Sequence, residues 1–260
     1  MTEVLHIPVS NVPKLRCFDE NTELIMADDS SKKIKDICPG DQLKYNGLVT
    51  ATIQVSSQGL HMYRLGDIIV SSNHKIRYLD HFIPVSRHPD ANIIDVEYSS
   101  PHVYCLNTES KLITISGYQF LDWDEVVDDT MEISAKIKRH LEENDFTTNE
   151  GPTTPTRASD IHKFLDGGFV PSFKIQTRQG LEPINKIRIG DALSNRCHVY
   201  GTVRITMNGL TNCKHVENKS GTTGALYHLL TTNGQISTEQ GSIYDYNYYV
   251  DSILTNDDNS

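Results

Sequence analysis

The chain has 260 residues, which is enough for one large domain or two of ordinary size. Its 34 acidic residues outnumber its 24 lysines and arginines and give a formal net charge of -10 at pH 7. Proteins that bind the phosphates of nucleic acids usually have a continuous basic surface, so this charge balance argues against a nucleic-acid partner. No apolar run approaches the roughly 20 residues that cross a bilayer, so we expect no membrane partner either.

The cysteines argue against a disulfide framework and against structural zinc. Their number is odd and no two of them form a Cys-x-x-Cys pair; they are Cys17, Cys38, Cys105, Cys197 and Cys213. The first residues show no positively charged segment followed by a long apolar one, as a secretory signal would. We therefore expect a cytoplasmic protein in a reducing compartment, without a metal or other cofactor.

Short β-strands separated by turns are predicted for the first half of the chain. Residues 1–16 form a short tail, and residues 17–121 carry alternating or β-branched runs with turn residues between them. The pair Asn46-Gly47, directly before the run 48–55, predicts a hairpin. The predicted fold class is all-β.

The pattern changes after these strands. Between Glu125 and Glu143 apolar residues recur at helical spacing, with acidic residues early and basic residues late, as the helix dipole favours. The composition of residues 144–159 predicts a flexible linker. We therefore predict a helix and linker between residues 122 and 166, and an acidic tail at residues 255–260.

The chain then repeats itself. A set of residues recurs 150 positions later, in the same order and without gaps: Ile34, Ile37, Gly40, Asp41 and Leu43 fall on Ile184, Ile187, Gly190, Asp191 and Leu193. A Tyr-x-Leu unit recurs at 63–65, 104–106 and 227–229. Asp122-Trp123, after the second unit, resembles Asp245-Tyr246 after the third. This self-similarity predicts a duplicated β unit, with the second copy at residues 167–254.

The second copy lacks a thiol and an imidazole that the first copy contains. Gly167-Gly168-Phe169 stands where Cys17-Phe18 stands. Residues 230–236 parallel residues 70–76, with a glycine in the place of the histidine. Joint loss is expected if the two groups act together, so we interpret the second copy as degenerate and structural.

Cys17 and His74 are the strongest functional candidates. A thiol and an imidazole are the minimum parts for attack on a neighbouring peptide carbonyl. Each also has an ordinary interpretation, as a buried thiol and as a hydrogen-bonded core histidine. Three other cysteines, Cys38, Cys197 and Cys213, are interpreted as packing residues. His81, His88 and His102 lack the spacing to one another or to a carboxylate that would predict a metal site.

A series of short motifs runs through the first part of the chain. It comprises Cys17-Phe18, Thr22, an Ile-x-x-Gly-Asp turn at 37–41, a Ser-x-x-His motif at 71–74 and a Val-Tyr-Cys-Leu strand at 103–106. In this order the motifs resemble those of the Hint superfamily, the Hedgehog/intein self-processing domain. The resemblance covers about residues 15–121 and, more weakly, 167–250. It implies a β module with internal pseudo-twofold symmetry.

The resemblance also implies autoprocessing, with the chain's own N-terminal segment as the substrate. Cys17 would attack the carbonyl of Arg16 and turn the amide into a thioester, an N-to-S acyl shift. His74, whose unperturbed pKa is near neutrality, would protonate the leaving nitrogen, and the Ser71 hydroxyl would bond the scissile carbonyl or amide. Cys105 would assist the thiol or receive the acyl group, unless it is a core residue. Water or a small nucleophile would then release the tail.

Two departures from the family pattern matter. Ser71 stands where the family has Thr, but it retains a hydroxyl. The His-Asn pair that ends splicing inteins is absent, so we do not expect full splicing. Two other classes stay open: a retired Hint-like module that acts as a binding or structural protein, and a cysteine peptidase acting in trans, for which no separate His/Asn constellation is evident.

Overall fold

The computed structural model describes residues 15–94, 98–126, 131–144, 146–148, 160–194, 196–212 and 224–254. Their regular secondary structure is mainly antiparallel β-strands, which confirms the predicted all-β class. The chain divides into two compact units, Met1–Glu125 and Val126–Ser260. Most of the predicted N-terminal tail, most of the predicted linker and the acidic tail lie outside the described residues.

Short strands make up the described part of the first unit. In chain order they are β1 (Phe18–Asp19), β2 (Glu23–Ile25), β3 (Ser31–Lys33), β4 (Gln42–Leu43), β5 (Gly47–Ser56), β6 (Met62–Leu65), β7 (Ile68–Ser71), β8 (Lys75–Tyr78), β9 (His81–Pro84), β10 (Asn92–Ile93), β11 (His102–Thr108), β12 (Leu112–Ile115) and β13 (Tyr118–Leu121). Single 3-10 turns at Ile34–Asp36 and Val85–Arg87 follow β3 and β9. Strand β5 buries Val49, Ala51 and Ile53, which lie on one face because side chains alternate along a strand. The start of β5 pairs with β4 and forms the predicted hairpin.

Strand order brings distant motifs together. Within the first unit the strands are ordered β10-β6-β7-β1-β11-β5. Phe18 of β1 pairs with Val70 of β7 on one side and with Tyr104 of β11 on the other. Since β1 has only two residues, Cys17 directly before it lies where three chain segments meet.

The first unit contains the same hairpin closure twice. In the turn after β7, the N–H of His74 donates to the carbonyl of Ser71 at 3.2 Å. In the turn after β11, the N–H of Lys111 donates to the carbonyl of Thr108 at 3.1 Å. The segment that follows each hairpin bonds back to the same turn residue, at 2.8 and 3.1 Å. The two hairpins therefore share one closing pattern within the first unit.

Helices and strands together make up the described part of the second unit. The strands are β14 (Phe146–Thr148), β15 (Gly167–Gly168), β16 (Lys174–Thr177), β17 (Gly180–Pro183), β18 (Val199–Ile205), β19 (Leu210–Asn212), β20 (Leu226–Thr231), β21 (Gln235–Thr238) and β22 (Gly241–Tyr244). The helices are α1 (Met131–Asn144), α2 (His162–Leu165) and α3 (Tyr246–Leu254), and a 3-10 turn spans Ile184–Lys186. No helix in the described ranges is long and apolar enough to cross a membrane.

The region between the two β units differs in part from the prediction. The predicted helix exists as α1, but it does not begin at Glu125, whose φ of 50° is left-handed and therefore not helical. Strand β14 lies within the stretch predicted as a linker, and pairing with β19 explains why this polar segment is ordered. Helix α3 has no counterpart among the predictions.

The same backbone hydrogen bonds occur within each of the two units. The N–H of Gly40 donates to the carbonyl of Val49 at 2.8 Å, and the N–H of Gly190 donates to the carbonyl of Val199 at 2.8 Å. Both glycines are left-handed, with φ of 99° and 97°. The aspartate that follows each glycine accepts a bond from a nearby backbone N–H, at 2.8 and 2.7 Å. Both aspartates therefore stabilise the turn in which they lie.

The central strand pair and the core repeat as well. Ile53 of β5 faces Cys105 of β11, and Val203 of β18 faces His228 of β20, with a bulge at the corresponding place in each pair. Corresponding core residues are buried in both units: Phe18 and Phe169, Leu24 and Ile175, Ile34 and Ile184, Ile37 and Ile187, Leu43 and Leu193, Val49 and Val199, Leu106 and Leu229, and Ile113 and Ile236. The core of the second unit therefore repeats that of the first, as the sequence repeat predicts.

One correspondence inferred from the sequence is wrong. The turn after β20 matches the turn after β11, not the turn that contains His74. The N–H of Thr231 donates to the carboxylate of Asp245 at 2.7 Å, as the N–H of Thr108 donates to the carboxylate of Asp122 at 3.1 Å. The false match arose because the first unit closes two hairpins in the same way.

His74 therefore has no counterpart in the described second unit because the segment that carries it in the first unit is missing there. The stretch between β18 and β20 is much shorter than the stretch between β5 and β11. The described residues of the second unit contain no counterpart of the hairpin that carries His74. Likewise, Tyr63 lies on β6 and has no equivalent in the parts of the second unit that the structure describes, whereas Tyr104 and Tyr227 do correspond.

Candidate active site

Cys17 is completely buried and is held through its backbone. The N–H of Cys17 donates to the hydroxyl of Ser71, the last residue of β7, at 2.9 Å. The N–H of Ser71 donates to the carbonyl of Cys17 at 2.8 Å. The nitrogen of the Arg16–Cys17 peptide bond is therefore bound by a side chain that is distant in sequence.

The Ser71 hydroxyl bonds to backbone groups of the two residues that flank Arg16. It accepts from the N–H of Cys17 and donates to the carbonyl of Leu15 at 2.9 Å. A hydroxyl has a single proton, so this donation leaves none for the carbonyl of Arg16. Of the two bonds considered from the sequence, the structure contains the bond to the scissile amide.

His74 is completely buried in the turn after β7. Its Nε2 lies 2.8 Å from the carbonyl oxygen of Leu121 and must carry the proton, because a carbonyl only accepts. Nδ1 is then a bare lone pair, and it has no hydrogen-bond partner in the described parts of the chain. The rings of Phe18 and Phe120 pack against the imidazole, with centroids 4.5 and 5.5 Å away. His74 therefore contacts the residue next to Cys17.

The protonation state of His74 differs from the expectation. Burial lowers the pKa of His74 to about 4; the hydrogen bond to the Leu121 carbonyl opposes this shift, and the Arg16 guanidinium adds to it. The imidazole is therefore neutral at neutral pH, because desolvation disfavours its cation. A neutral imidazole can accept a proton, and it can donate one from the accepting nitrogen only after it has taken that proton up.

Both cysteines in this region are protonated thiols. Burial raises the pKa of Cys17 far above its ordinary value, although the Arg16 guanidinium and backbone N–H favour the thiolate. Burial, with the nearby Cys17 and Asp122, also raises the pKa of Cys105. The antiparallel register of β1 and β11 places Cys105 opposite Cys17. All four predicted site residues thus meet in one buried region.

Other residues selected from the sequence lie elsewhere. Thr22 shapes the turn after β1, where its N–H donates to the carbonyl of Asp19 at 3.0 Å. Cys197 belongs to the core of the second unit, Cys38 is half-buried, and Cys213 lies outside the described residues. Among the described residues, no group of His, Cys, Asp or Glu is arranged to hold a metal.

The contacts of the Arg16 side chain were not predicted. Its Nη1 donates to the carbonyl of Trp123 at 2.9 Å, and its Nε lies 3.0 Å from a carboxylate oxygen of Glu125. The place of Arg16 directly before Cys17 was a usable signal for Arg16 itself. No sequence pattern links it to the segment after β13, which comes close only through the fold.

A buried charge cluster near Cys105 was also missed. The Nζ of Lys111 lies 2.6 Å from the carboxylate of Asp124 and 3.2 Å from that of Asp122. Burial of such charges is tolerated because they pair with one another. In the second unit Asp245 closes the same turn, and a glycine stands at the position of the lysine. Lys111 is therefore dispensable for closing the turn, and what it adds is a fixed position for the segment after β13.

The corresponding place in the second unit has no room for a thiol. Gly168 corresponds to Cys17, as the hydrogen bonds of the residues that follow it show. A Cβ on Gly168 would lie 2.9 Å from the side chain of Ile205 and 3.2 Å from the carbonyl oxygen of Tyr227. Opposite this glycine lies His228, whose pKa burial lowers to about 3. The second unit lacks the nucleophile at this place.

The comparisons with known proteins add one distant likeness. No protein-family model matches the chain. No curated protein matches it either. Among solved structures, a DnaB intein from Synechocystis sp. PCC 6803 is similar at 14% sequence identity, with 42% of this chain and 99% of that chain covered and a TM-score of 0.28. A likeness this loose does not establish a shared fold.

Proposed function

We propose that the first unit is an autoprocessing domain that cleaves the bond between Arg16 and Cys17 once, through a thioester. The central support is the Ser71 hydroxyl, which binds the nitrogen of that bond at 2.9 Å. The imidazole of His74 packs against Phe18, the residue after Cys17, and its buried Nδ1 has no partner among the residues that the structure describes. Buried polar atoms are normally paired, so an unpaired ring nitrogen suits a chemical role.

The reaction begins when the Cys17 sulfur attacks the carbonyl carbon of Arg16. As the C–S bond forms, Nδ1 of His74 takes the proton of the thiol. The resulting imidazolium is a strong acid because it is buried, and it gives this proton to the Cys17 nitrogen. The C–N bond then breaks. The products are a thioester between Arg16 and Cys17 and a free α-amine on Cys17, so the proton count is unchanged.

Release requires a second nucleophile. Water or a small thiol attacks the thioester carbonyl and breaks the C–S bond, which frees residues 1–16 and restores the Cys17 thiol. Each molecule reacts once, because its substrate is its own N-terminal segment. The His-Asn pair used by splicing inteins is absent, so the proposal includes cleavage but no ligation.

The intact mass of the purified full chain, followed over time, tests this proposal. We expect loss of the mass of residues 1–16, faster with added thiol and abolished by Cys17→Ala. A chain that stays whole under all these conditions contradicts the proposal. The protein would then be a retired module that acts through its surface as a binding or structural protein.

A further inference from the structure

Two acceptors at the end of the first unit hold the Arg16 side chain. Nη1 donates to the Trp123 carbonyl at 2.9 Å, and Nε lies 3.0 Å from Oε2 of Glu125. The Arg16 side chain is 20% exposed and the Glu125 side chain 11%. Ionic hydrogen bonds at this depth are shorter and stronger than neutral ones and are less screened by water. The contact between Arg16 and Glu125 is therefore stronger than an ion pair on the protein surface.

Glu125 is itself fixed in place. Its φ of 50° is unfavourable for a residue with a side chain, and the surrounding contacts maintain it. The Nζ of Lys75 lies 3.8 Å from the same carboxylate oxygen. Just before Glu125, Asp124 and Asp122 are tied to Lys111 at 2.6 and 3.2 Å. The Glu125 carboxylate is thus held by contacts additional to the one with Arg16.

The residue before Arg16 is recognised as well. Leu15 is only 5% exposed, and its carbonyl accepts from the Ser71 hydroxyl at 2.9 Å. An aliphatic side chain is thus buried and its backbone bound by the same hydroxyl that holds the scissile nitrogen. Two consecutive side chains are held before the nucleophile.

We propose that Glu125 and the Trp123 carbonyl form an arginine-selective subsite, so that the first unit processes bonds preceded by an aliphatic–arginine dipeptide. This inference rests on the proposed function and names its substrate class. Glu125 acts as a positioning residue: it binds the side chain of Arg16, whose carbonyl Cys17 attacks. The subsite fixes the acyl group while the thioester forms and after the nitrogen has left.

The geometry selects arginine over lysine. A guanidinium presents Nε and Nη1 in one rigid plane, and the two reach separate acceptors here. A lysine ammonium is a single point of charge and would leave one acceptor without its bond. The guanidinium also favours the Cys17 thiolate, which a neutral side chain would not do.

Cleavage rates of full-length variants test the subsite. We expect Glu125→Gln and Arg16→Lys to cleave roughly ten- to a hundredfold more slowly than the wild type, the range that loss of a charged hydrogen bond produces. Arg16→Glu should be slower still, and Glu125→Arg in the same chain should restore part of the rate. The matched control is Glu20→Gln, which removes the Lys35–Glu20 pair at 3.3 Å elsewhere in the first unit.

A second readout does not depend on cleavage. In the full-length Cys17→Ala chain with 15N-labelled arginine, the Nε–H signal of Arg16, assigned by its loss in Arg16→Lys, should exchange slowly with solvent. Glu125→Gln should remove this protection, whereas Glu20→Gln should not. If the wild type cleaves but Glu125→Gln matches Glu20→Gln in both readouts, the subsite is refuted and the proposed function survives. If the wild type never cleaves, the proposed function and its substrate class both fall, and exchange alone decides whether Glu125 positions Arg16.

Discussion

Ser71 and Cys17 exchange two hydrogen bonds, and only one of them is an ordinary strand bond. The N–H of Ser71 donates to the Cys17 carbonyl at 2.8 Å, as in an antiparallel ladder. The N–H of Cys17 donates to the Ser71 hydroxyl at 2.9 Å, where a ladder would use a backbone carbonyl. A side chain therefore controls the nitrogen of the Arg16–Cys17 bond, and mutation can remove that control without changing the strand.

Ser71→Ala should slow cleavage about tenfold, because the scissile N–H loses its acceptor and the amide is no longer oriented. Ser71→Thr should retain most of the rate, since it keeps the hydroxyl. Cleavage rates by intact mass, with unfolding curves to confirm that both variants are folded, provide the measurement. Equal rates for Ser71→Ala and the wild type would contradict this role of the hydroxyl.

His74 should make stability depend on pH. Its pKa is lowered from 6.5 to about 4 in the folded protein, so the unfolded chain takes up this proton first as the pH falls. The contribution of His74 to the unfolding free energy is complete above about pH 6.5 and should decline by about 3 kcal/mol as the pH falls to about 4.

Urea unfolding at several pH values checks this dependence. His74→Gln should flatten the decline between about pH 6.5 and pH 4 relative to the wild type. The difference between the two chains is the relevant quantity, since His228 in the second unit has a pKa lowered to about 3 and adds its own decline to both. Parallel curves for wild type and His74→Gln would show that His74 is not buried in its neutral form.

The Cys105→Ala variant distinguishes two roles of Cys105. If it is a core residue, Cys105→Ala should cost about 1 kcal/mol of unfolding free energy and leave the cleavage rate unchanged. We expect this result, because Cys105 is completely buried in β11 and faces Ile53 of β5, as a core residue does. Accumulation of an unreleased thioester on Cys17 in Cys105→Ala would instead identify Cys105 as the acyl acceptor.

Gly168→Cys should destabilise the second unit rather than restore a site there. The added Cβ would lie 2.9 Å from Ile205, and overpacking of this kind costs about 1–3 kcal/mol. Gly224→Cys is the matched control, because a Cβ at that position would meet no atom of the described residues within 4 Å, apart from those of its chain neighbours. Urea unfolding of the two variants makes the comparison, and equal stability would mean that the space around Gly168 adjusts freely.

The sequence predicted the parts of the fold that have local patterns. The repeated Gly-Asp pairs at 40–41 and 190–191 lie in equivalent turns, and the all-β class followed from alternating apolar residues such as those of β5. The sequence comparison matched the turn of His74 to the turn of Gly234. This match is wrong, and it arose because the residues that close a short hairpin are similar at each such turn. Only the hydrogen bonds of Asp122 and Asp245 show which turns correspond.

The site was predictable in its residue types but not in its electrostatics. Cys17, Ser71 and His74 were selected by order and spacing, and the fold brings them together. The pKa of His74 depends on burial by rings from separate strands, which spacing does not encode. The Arg16–Glu125 pair depends on a chain reversal after β13 and has no sequence pattern at all.

Treatment of the full-length chain with hydroxylamine, followed by tandem mass spectrometry of the released peptide, tests the central claim most directly. Hydroxylamine attacks a thioester readily and an amide hardly at all. The account predicts a peptide of residues 1–16 that ends in a hydroxamate on Arg16 and is absent from Cys17→Ala. A chain that remains intact, or a peptide that ends at another residue or persists in Cys17→Ala, would contradict it.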